Sequence, residues 1–155
     1  MISVACRPIT TADEAFLRRV YASTRERELA MLPWSNEQKA EFVRMQFDAQ
    51  ARYYHDVYAD GSFEVVEVDG MPAGRLYVVG GASDIRIVDI TLVPEYRGRG
   101  IGSDLLQRLL EQGRSSGRTV SIHVEFENPA RRLYERLGFA EIAQHGIYTL
   151  MEWRS

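Results

Sequence analysis

Residues 94–103 read PEYRGRGIGS, in which Gly98, Gly100 and Gly102 alternate with Arg97, Arg99 and Ile101. An apolar run, IRIVDITLV (85–93), precedes the stretch, and a helical pattern, DLLQRLLEQ (104–112), follows it. A loop that leaves a strand and enters a helix points unpaired backbone N–H groups outward, and the helix dipole adds partial positive charge. Glycine permits positive φ and lets a ligand approach the main chain closely. The chemistry open to such a loop, with two arginines beside it, is to hold an anion, most naturally a pyrophosphate. A tight strand-to-helix turn with solvated arginines would use the same residues.

Three phosphate-binding designs can be told apart here. The phosphate loop of nucleotide hydrolases needs Lys and then Ser or Thr after its last glycine, where this chain has Ile101-Gly102-Ser103. The dinucleotide fingerprint G-x-G-x-x-G accepts Gly98 and Gly100 but meets Ser103 at its third glycine, and no doubly wound pattern surrounds it. The third design, Arg-x-x-Gly-x-Gly, is met by Arg97, Gly100 and Gly102 without a mismatch.

The elements that must carry these groups follow from apolar spacing and turn residues. ISVACR (2–7) alternates as a first strand. TADE (11–14) predicts a capping box, followed by Phe16, Leu17, Val20 and Tyr21 at helical spacing, with a continuation or a break near STRERELAM (23–31). Ser35 and Gln38 predict a second helix, with Phe42, Met45, Ala49 and Tyr53 on one face and Val43, Phe47 and Tyr54 widening it. SFEVVEV (62–68) and MPAGRLYVV (71–79) flank Asp69-Gly70 as a hairpin. A helix to about residue 113 buries Leu105, Leu106, Leu109 and Leu110, and TVSIHVEF (119–126) is a strand. NPARRLYERLG (128–138) predicts a short helix capped by Asn128 and closed by Gly138. FAEIAQ and IYTLMEW form a last hairpin around His145-Gly146. The step from 85–93 through a helix to 119–126 is a parallel, right-handed crossover. The fold class is therefore α/β with a mixed sheet, in one domain over residues 1–155.

Composition narrows the function. The net charge is −3 with a sequence pI of about 5.7, which argues against nucleic acid as partner. Cys6 is the lone cysteine, so no internal disulfide forms, and a reducing, cytoplasmic setting is expected. The first residues show no signal peptide, and no stretch nears the ~20 apolar residues of a membrane span, so no membrane partner is expected. His55, His123 and His145 are scattered, and no metal-ligand spacing occurs.

The stretch VEFENPARRLYERLGF supplies the second motif: a strand, an asparagine, a helix carrying a tyrosine, then Leu-Gly-Phe. Together with the Arg97–Gly102 loop it resembles the GNAT (Gcn5-related N-acetyltransferase) family, with Asn128, Ala130, Tyr134, Leu137, Gly138 and Phe139 matching residue by residue. The close match covers about residues 85–140; the N-terminal half matches only in element order. The resemblance implies a mostly antiparallel central sheet with one splayed parallel pair, flanked by helices. It implies acetyl-coenzyme A as donor and a primary amine of a small molecule or peptide as acceptor, with homodimers common. The same fold holding coenzyme A without turnover, as a sensor or interaction module, is the alternative. Arg97, Gly98, Arg99, Gly100, Ile101, Gly102 and Ser103 would hold the pyrophosphate. The backbones of Leu92 and Val93 would bond the pantetheine arm, and Asn128 would reach a cofactor amide or a water. Asn-Pro is also a good helix start by itself.

Acetyl transfer to an amine asks for a proton donor to the leaving thiolate and a proton acceptor for the amine. Tyr134 fits the donor: a phenol of pKa about 10 is protonated where a thiol of pKa about 8.5 departs. Its other reading is packing beside Leu133 and Leu137. An alkylamine of pKa about 10.4 is only ~0.04% neutral at pH 7, so the acceptor matters. Asp89 is the leading candidate, because a carboxylate amid RIVDITL is costly unless paired or functional. Pairing with Arg86 or Arg75 is its alternative, and Glu125, His123 or an ordered water are the others. Trp34 and Tyr54 are candidate walls of the acceptor pocket.

Overall fold

Asp69 and Gly70 adopt φ of 51° and 82°, the left-handed pair that a two-residue I′ hairpin requires. They join β2 (Ser62–Val68) to β3 (Met71–Gly80), as their sequence predicts. The computed structural model describes residues 2–155. Its other strands are β1 (Val4–Pro8), β4 (Asp84–Leu92), β5 (Thr119–Glu125), β6 (Ala140–His145) and β7 (Tyr148–Trp153). The helices are α1 (Glu14–Ala30), α2 (Asn36–Val57), α3 (Ile101–Ser116) and α4 (Arg131–Arg136). One seven-stranded sheet runs β1-β2-β3-β4-β5-β7-β6, antiparallel at every step except β4–β5. The expected mixed sheet, with its single parallel crossover through α3, is what forms.

The helices cover the sheet with two apolar clusters. Leu105, Leu106, Leu109 and Leu110 of α3 pack with Ile85, Ile87, Val120, Ile122, Met151 and Trp153, and α4 adds Tyr134 to this cluster. Leu17, Tyr21 and Leu29 of α1 meet Val43 and Phe47 of α2 over Val65 of β2. α1 runs unbroken through STRERELA. In α2 the buried stripe is narrower than the sequence suggests: Val43 and Phe47 are buried, whereas Met45 and Tyr53 are 60% and 54% exposed. Residues 43, 47, 50 and 54 lie on one helical stripe, and packing against α1 and β3 selected it over the neighbouring one.

Two caps differ from expectation. The box before α1 is Thr10 with Asp13, one residue earlier than TADE implied: the Asp13 carboxylate accepts from the Thr10 N–H at 2.8 Å. Arg7 of β1 decides this register by donating to both Asp13 oxygens at 2.8 Å. The helix after Asn128 begins at Arg131, and its cap is Ala130. Asn128 instead closes the turn before it, accepting from the Ala130 N–H at 2.9 Å. The Ser35–Gln38 box forms as expected, with bonds of 3.1 and 2.9 Å.

The irregularity that shapes the sheet lies in β4. Tyr77 pairs with Asp89 but Val78 pairs with Ile87, so Val88 is an extra, bulged residue. The bulge shifts the side-chain alternation by one. Ile85 and Ile87 point to α3 before it, and Asp89 and Thr91 lie beside Tyr77 and Arg75, opposite that face, after it. The parallel pairing of β4 with β5 also ends here, at Ile87–Ile122.

Gly74 on β3 permits the close approach of β4 that this geometry needs. A Cβ there would lie 2.2 Å from the Thr91 carbonyl oxygen and 2.9 Å from a Leu92 methyl. Gly74→Ala must therefore push β4 away, and overpacking of this kind costs about 1–3 kcal/mol. Thermal unfolding should show a drop of several degrees; an unchanged midpoint would mean that β4 is free to move.

Candidate functional site

Past Ile87, β4 and β5 part, and β4 keeps only its β3 neighbour. The Val93 N–H donates to the Ala73 carbonyl at 2.9 Å. The alternation of an antiparallel ladder then makes Leu92–Gly74 a non-hydrogen-bonded pair, so Leu92 and Ile90 turn their N–H and C=O groups away from β3, into the gap. Of the two residues expected to offer backbone there, Leu92 faces the opening. Val93 has both backbone groups engaged, since its carbonyl accepts from the Tyr96 N–H.

The glycine loop sits at the C-terminal end of β4. Gly98 and Gly100 hold φ of 73° and 78°, and Gly100 is the N-cap of α3. A Cβ built on Gly98, Gly100 or Gly102 would meet no atom within 4 Å, so the main chain borders open space. Among the described residues, no acceptor is found for the backbone N–H groups of residues 98–103; the next, of Asp104, donates to the Gly100 carbonyl at 3.0 Å. Ile101 anchors the helix start in the core at 1% exposure, and Ser103 lies in its first turn. Arg97 braces the loop: its Nε donates to the Leu92 carbonyl at 2.9 Å and its Nη2 to Ser23 Oγ at 3.3 Å. Arg99 stacks on the Tyr96 ring at 5.5 Å. Six unpartnered N–H groups, a helix dipole and two guanidinium groups suit an anion of two linked phosphates.

Tyr134 of α4 belongs to the core on the α3 side of the sheet. Its ring is 5% exposed and packs edge-on to Phe139 at 5.7 Å, so the packing role read from the sequence is real. The phenol is pushed up to about 12, first by burial and then by the negative charge of Asp89. Asp89 lies on the other face of the sheet, beside Tyr77 and Arg75.

Asp89 does not stand alone. Arg75 Nη2 donates to its Oδ2 at 2.7 Å, Thr91 Oγ1 to its Oδ1 at 2.6 Å, and the Tyr54 hydroxyl to Oδ2 at 3.4 Å. Arg75 is thus the partner, while Arg86 bonds Ser121 Oγ at 2.7 Å. The pair is nearly sealed, with side-chain exposures of 3% for Arg75 and 11% for Asp89. The same Arg75 nitrogen also donates to Gln50 Oε1 at 2.9 Å, and Arg75 Nε has no partner. An unfilled buried donor costs about 1–3 kcal/mol. Gln50 escapes sequence reading because a polar residue on a helix usually faces solvent; only its place on the 43–47–50–54 stripe signals otherwise. Burial and the Asp89 charge raise the Tyr54 phenol well above its usual range.

Of the remaining candidates, Asn128 is exposed and its side-chain oxygen is taken by Ala130. His123 on β5 lies 3.3 Å from Arg86 and edge-on to His145 at 5.6 Å. Burial lowers its pKa, and the Arg86 and His145 charges lower it further. Trp34 is apart from this cluster, packing edge-on to Phe42 at 5.4 Å. No helix among the described residues is long and apolar enough to cross a membrane.

Known proteins share this fold and part of this sequence. The profile of the acetyltransferase (GNAT) family matches residues 17–139. A mycothiol acetyltransferase of Corynebacterium aurimucosum is 40% identical over 80 residues, covering 48% of this chain and 22% of that protein. A putative [ribosomal protein bS18]-alanine N-acetyltransferase of Bacillus subtilis is 31% identical over 90 residues, covering 56% of this chain and 60% of that one. The chain therefore spans less than two thirds of the length of either relative. The PaiA N-acetyltransferase of Thermoplasma acidophilum, solved with coenzyme A, superposes with a TM-score of 0.73 over 99% of both chains at 19% identity. Naa50 of Arabidopsis thaliana, solved with a bisubstrate analogue, gives 0.62 over 99% of both at 16% identity. With both motifs in place on the elements they require, and a family profile matched over most of its length, the chain belongs to the GNAT acetyltransferase family.

Proposed function

We propose that this chain transfers an acetyl group from acetyl-coenzyme A to a primary amine of a small molecule or peptide. The observation that carries the reading is the run of unpartnered N–H groups at residues 98–103, bordering open space at the end of β4. When bound, acetyl-coenzyme A supplies a thioester, whose C–S bond is exchanged for a C–N bond, with one proton lost at nitrogen and one gained at sulfur.

The chain's own groups divide that work. Arg97, Arg99 and the main chain from Gly98 to Ser103 hold the pyrophosphate. The Leu92 N–H, which faces the gap, lines the arm with Val93 beyond it, while the Leu92 carbonyl is held by Arg97, and the Asn128 amide nitrogen borders the arm. N–H groups of β4 that face the gap polarise a carbonyl without reorganising, since the sheet fixes them. Tyr134, held protonated by burial, donates to the departing sulfur. Asp89 is the destination of the amine's proton. Three donors already hold it, so it works through a water relay and not by direct contact. His123, kept neutral at pH 7 by its lowered pKa, is a second acceptor on the neighbouring strand.

Gly102→Asp tests the anion site without disturbing the backbone, because Gly102 has ordinary helical φ and open space beside it. An acidic residue in the first turn also favours the helix, so the melting temperature should hold or rise while calorimetry shows coenzyme A binding lost. A variant that binds as wild type removes the loop from the site.

Tyr134→Phe keeps the ring and its packing on Phe139 and removes only the hydroxyl. Turnover should fall by about 10²–10⁴, with affinity for acetyl-coenzyme A little changed. Because the raised phenol pKa keeps the proton in place until pH approaches about 12, the wild-type rate should show no descending limb from Tyr134 between neutrality and about pH 10. Turnover of the variant within threefold of wild type, with chemistry rate-limiting, would reduce Tyr134 to a core residue.

A further inference from the structure

On the α3 side of the sheet, between that helix and the β2–β3 hairpin, lies an open cavity of about 380 Å³. Its size falls within the roughly 300–1,000 Å³ of small-molecule sites. Strand alternation builds it. Val65 faces α1 and α2, so Glu64 and Val66 turn to α3. Leu76 and Val78 of β3 and Leu105 and Leu109 of α3 supply apolar lining, and Cys6 of β1 closes one side. The lining of α3 starts at Leu105 and includes none of residues 92–103, so the cavity is separate from the glycine loop and the β4–β5 gap.

Charge decides what fits. The charged lining is Asp60 and Glu64 from the sheet side, with Arg108 and Arg118 from α3 and its C-terminal end. Arg108 is already taken, by Asp104 at 2.8 Å and the Val4 carbonyl at 2.9 Å. Arg118 bonds Ser116 Oγ at 2.7 Å and the Gly81 carbonyl at 3.4 Å. Among the described residues, neither Asp60 nor Glu64 has an ion-pair partner. Arg118 offsets one of these two carboxylates, which leaves the lining with one negative charge in excess. Glu64 is half-buried and pairs across the ladder with Leu76, so its charge stands on an apolar surface. That charge is felt at Cys6, whose thiol is raised first by burial and then by Glu64. An ammonium balances the excess, and an apolar body of residue size covers the lining. We propose that this cavity is a second binding site, taking an apolar molecule that carries one ammonium group held by Glu64 and Asp60.

The test is calorimetry with three probes of one shape: 2-phenylethylamine, 2-phenylethanol and 3-phenylpropanoate. The amine should bind at least about tenfold more tightly than the alcohol, the worth of one hydrogen bond to a charged group, and the carboxylate should not bind. Glu64→Gln keeps the shape and removes the charge, and should erase the preference for the amine. Gln112→Trp, at an exposed position of α3 on the rim, places a ring in the cavity and should abolish binding. Circular dichroism of both variants should stay native. Bound amine should also slow alkylation of Cys6, the lone cysteine, by neutral iodoacetamide at least about threefold. Equal affinities for amine and alcohol, or no detectable binding of the amine at millimolar concentration, would overturn the site. So would an affinity unchanged in both variants, or an unchanged Cys6 rate, since either places the amine elsewhere, as at the acetyl-transfer centre. A dimer in sedimentation that Gln112→Trp dissociates would give the cavity to a second copy of the chain instead.

Discussion

The extra residue in β4 is the constraint from which the site follows. With Val88 inserted, Ile85 and Ile87 stay in the α3 core while Asp89 and Thr91 turn to the opposite face. Without it, one of these sets would point the wrong way, because strand alternation allows no other correction. The bulge also marks where β5 ceases to pair, so the point that re-aims the side chains is the point that opens the sheet. Backbone donors and a nearly buried carboxylate come together there because one strand changes phase.

Around that opening the chain keeps opposite kinds of surface apart. The face toward the glycine loop is main chain with little side chain, kept bare by Gly98, Gly100 and Gly102 and braced by Arg97. The face toward α2 is dense with aromatic rings and one balanced ion pair. The two surfaces are independent, since one uses a helix terminus and the other a sheet face.

Much of this was legible in the sequence, for identifiable reasons. Asp69-Gly70 dictates its hairpin through backbone conformation alone, and Ser35 with Gln38 dictates its cap through local hydrogen bonds. The glycine loop was readable because its requirement is likewise local. What was not readable depends on distant partners. The box before α1 moved by one residue because Arg7, on another element, grips Asp13. The buried stripe of α2 rotated because packing against α1 and β3 outweighs the hydrophobicity of Met45 and Tyr53. Gln50 became part of the site only through Arg75, which lies 25 residues away in the chain. The bulge is marked in IRIVDITLV by a change of phase, apolar at Ile85 and Ile87 and then at Val88, Ile90 and Leu92, which is hidden when the stretch is read as one apolar run.

The parting of β4 and β5 has a consequence for the protein's behaviour in a crowded solution. Unpaired strand edges are templates on which other chains add, and natural sheets protect their outer edges with charge, proline or brevity. Here the bare segment lies in the middle of the sheet, with β3 on one side and β5 on the other. A slot bounded by two strands admits a single slender extended molecule but not the sheet of a neighbouring protein. The fold thus displays an open hydrogen-bonding edge to small ligands without offering it as a seed for aggregation.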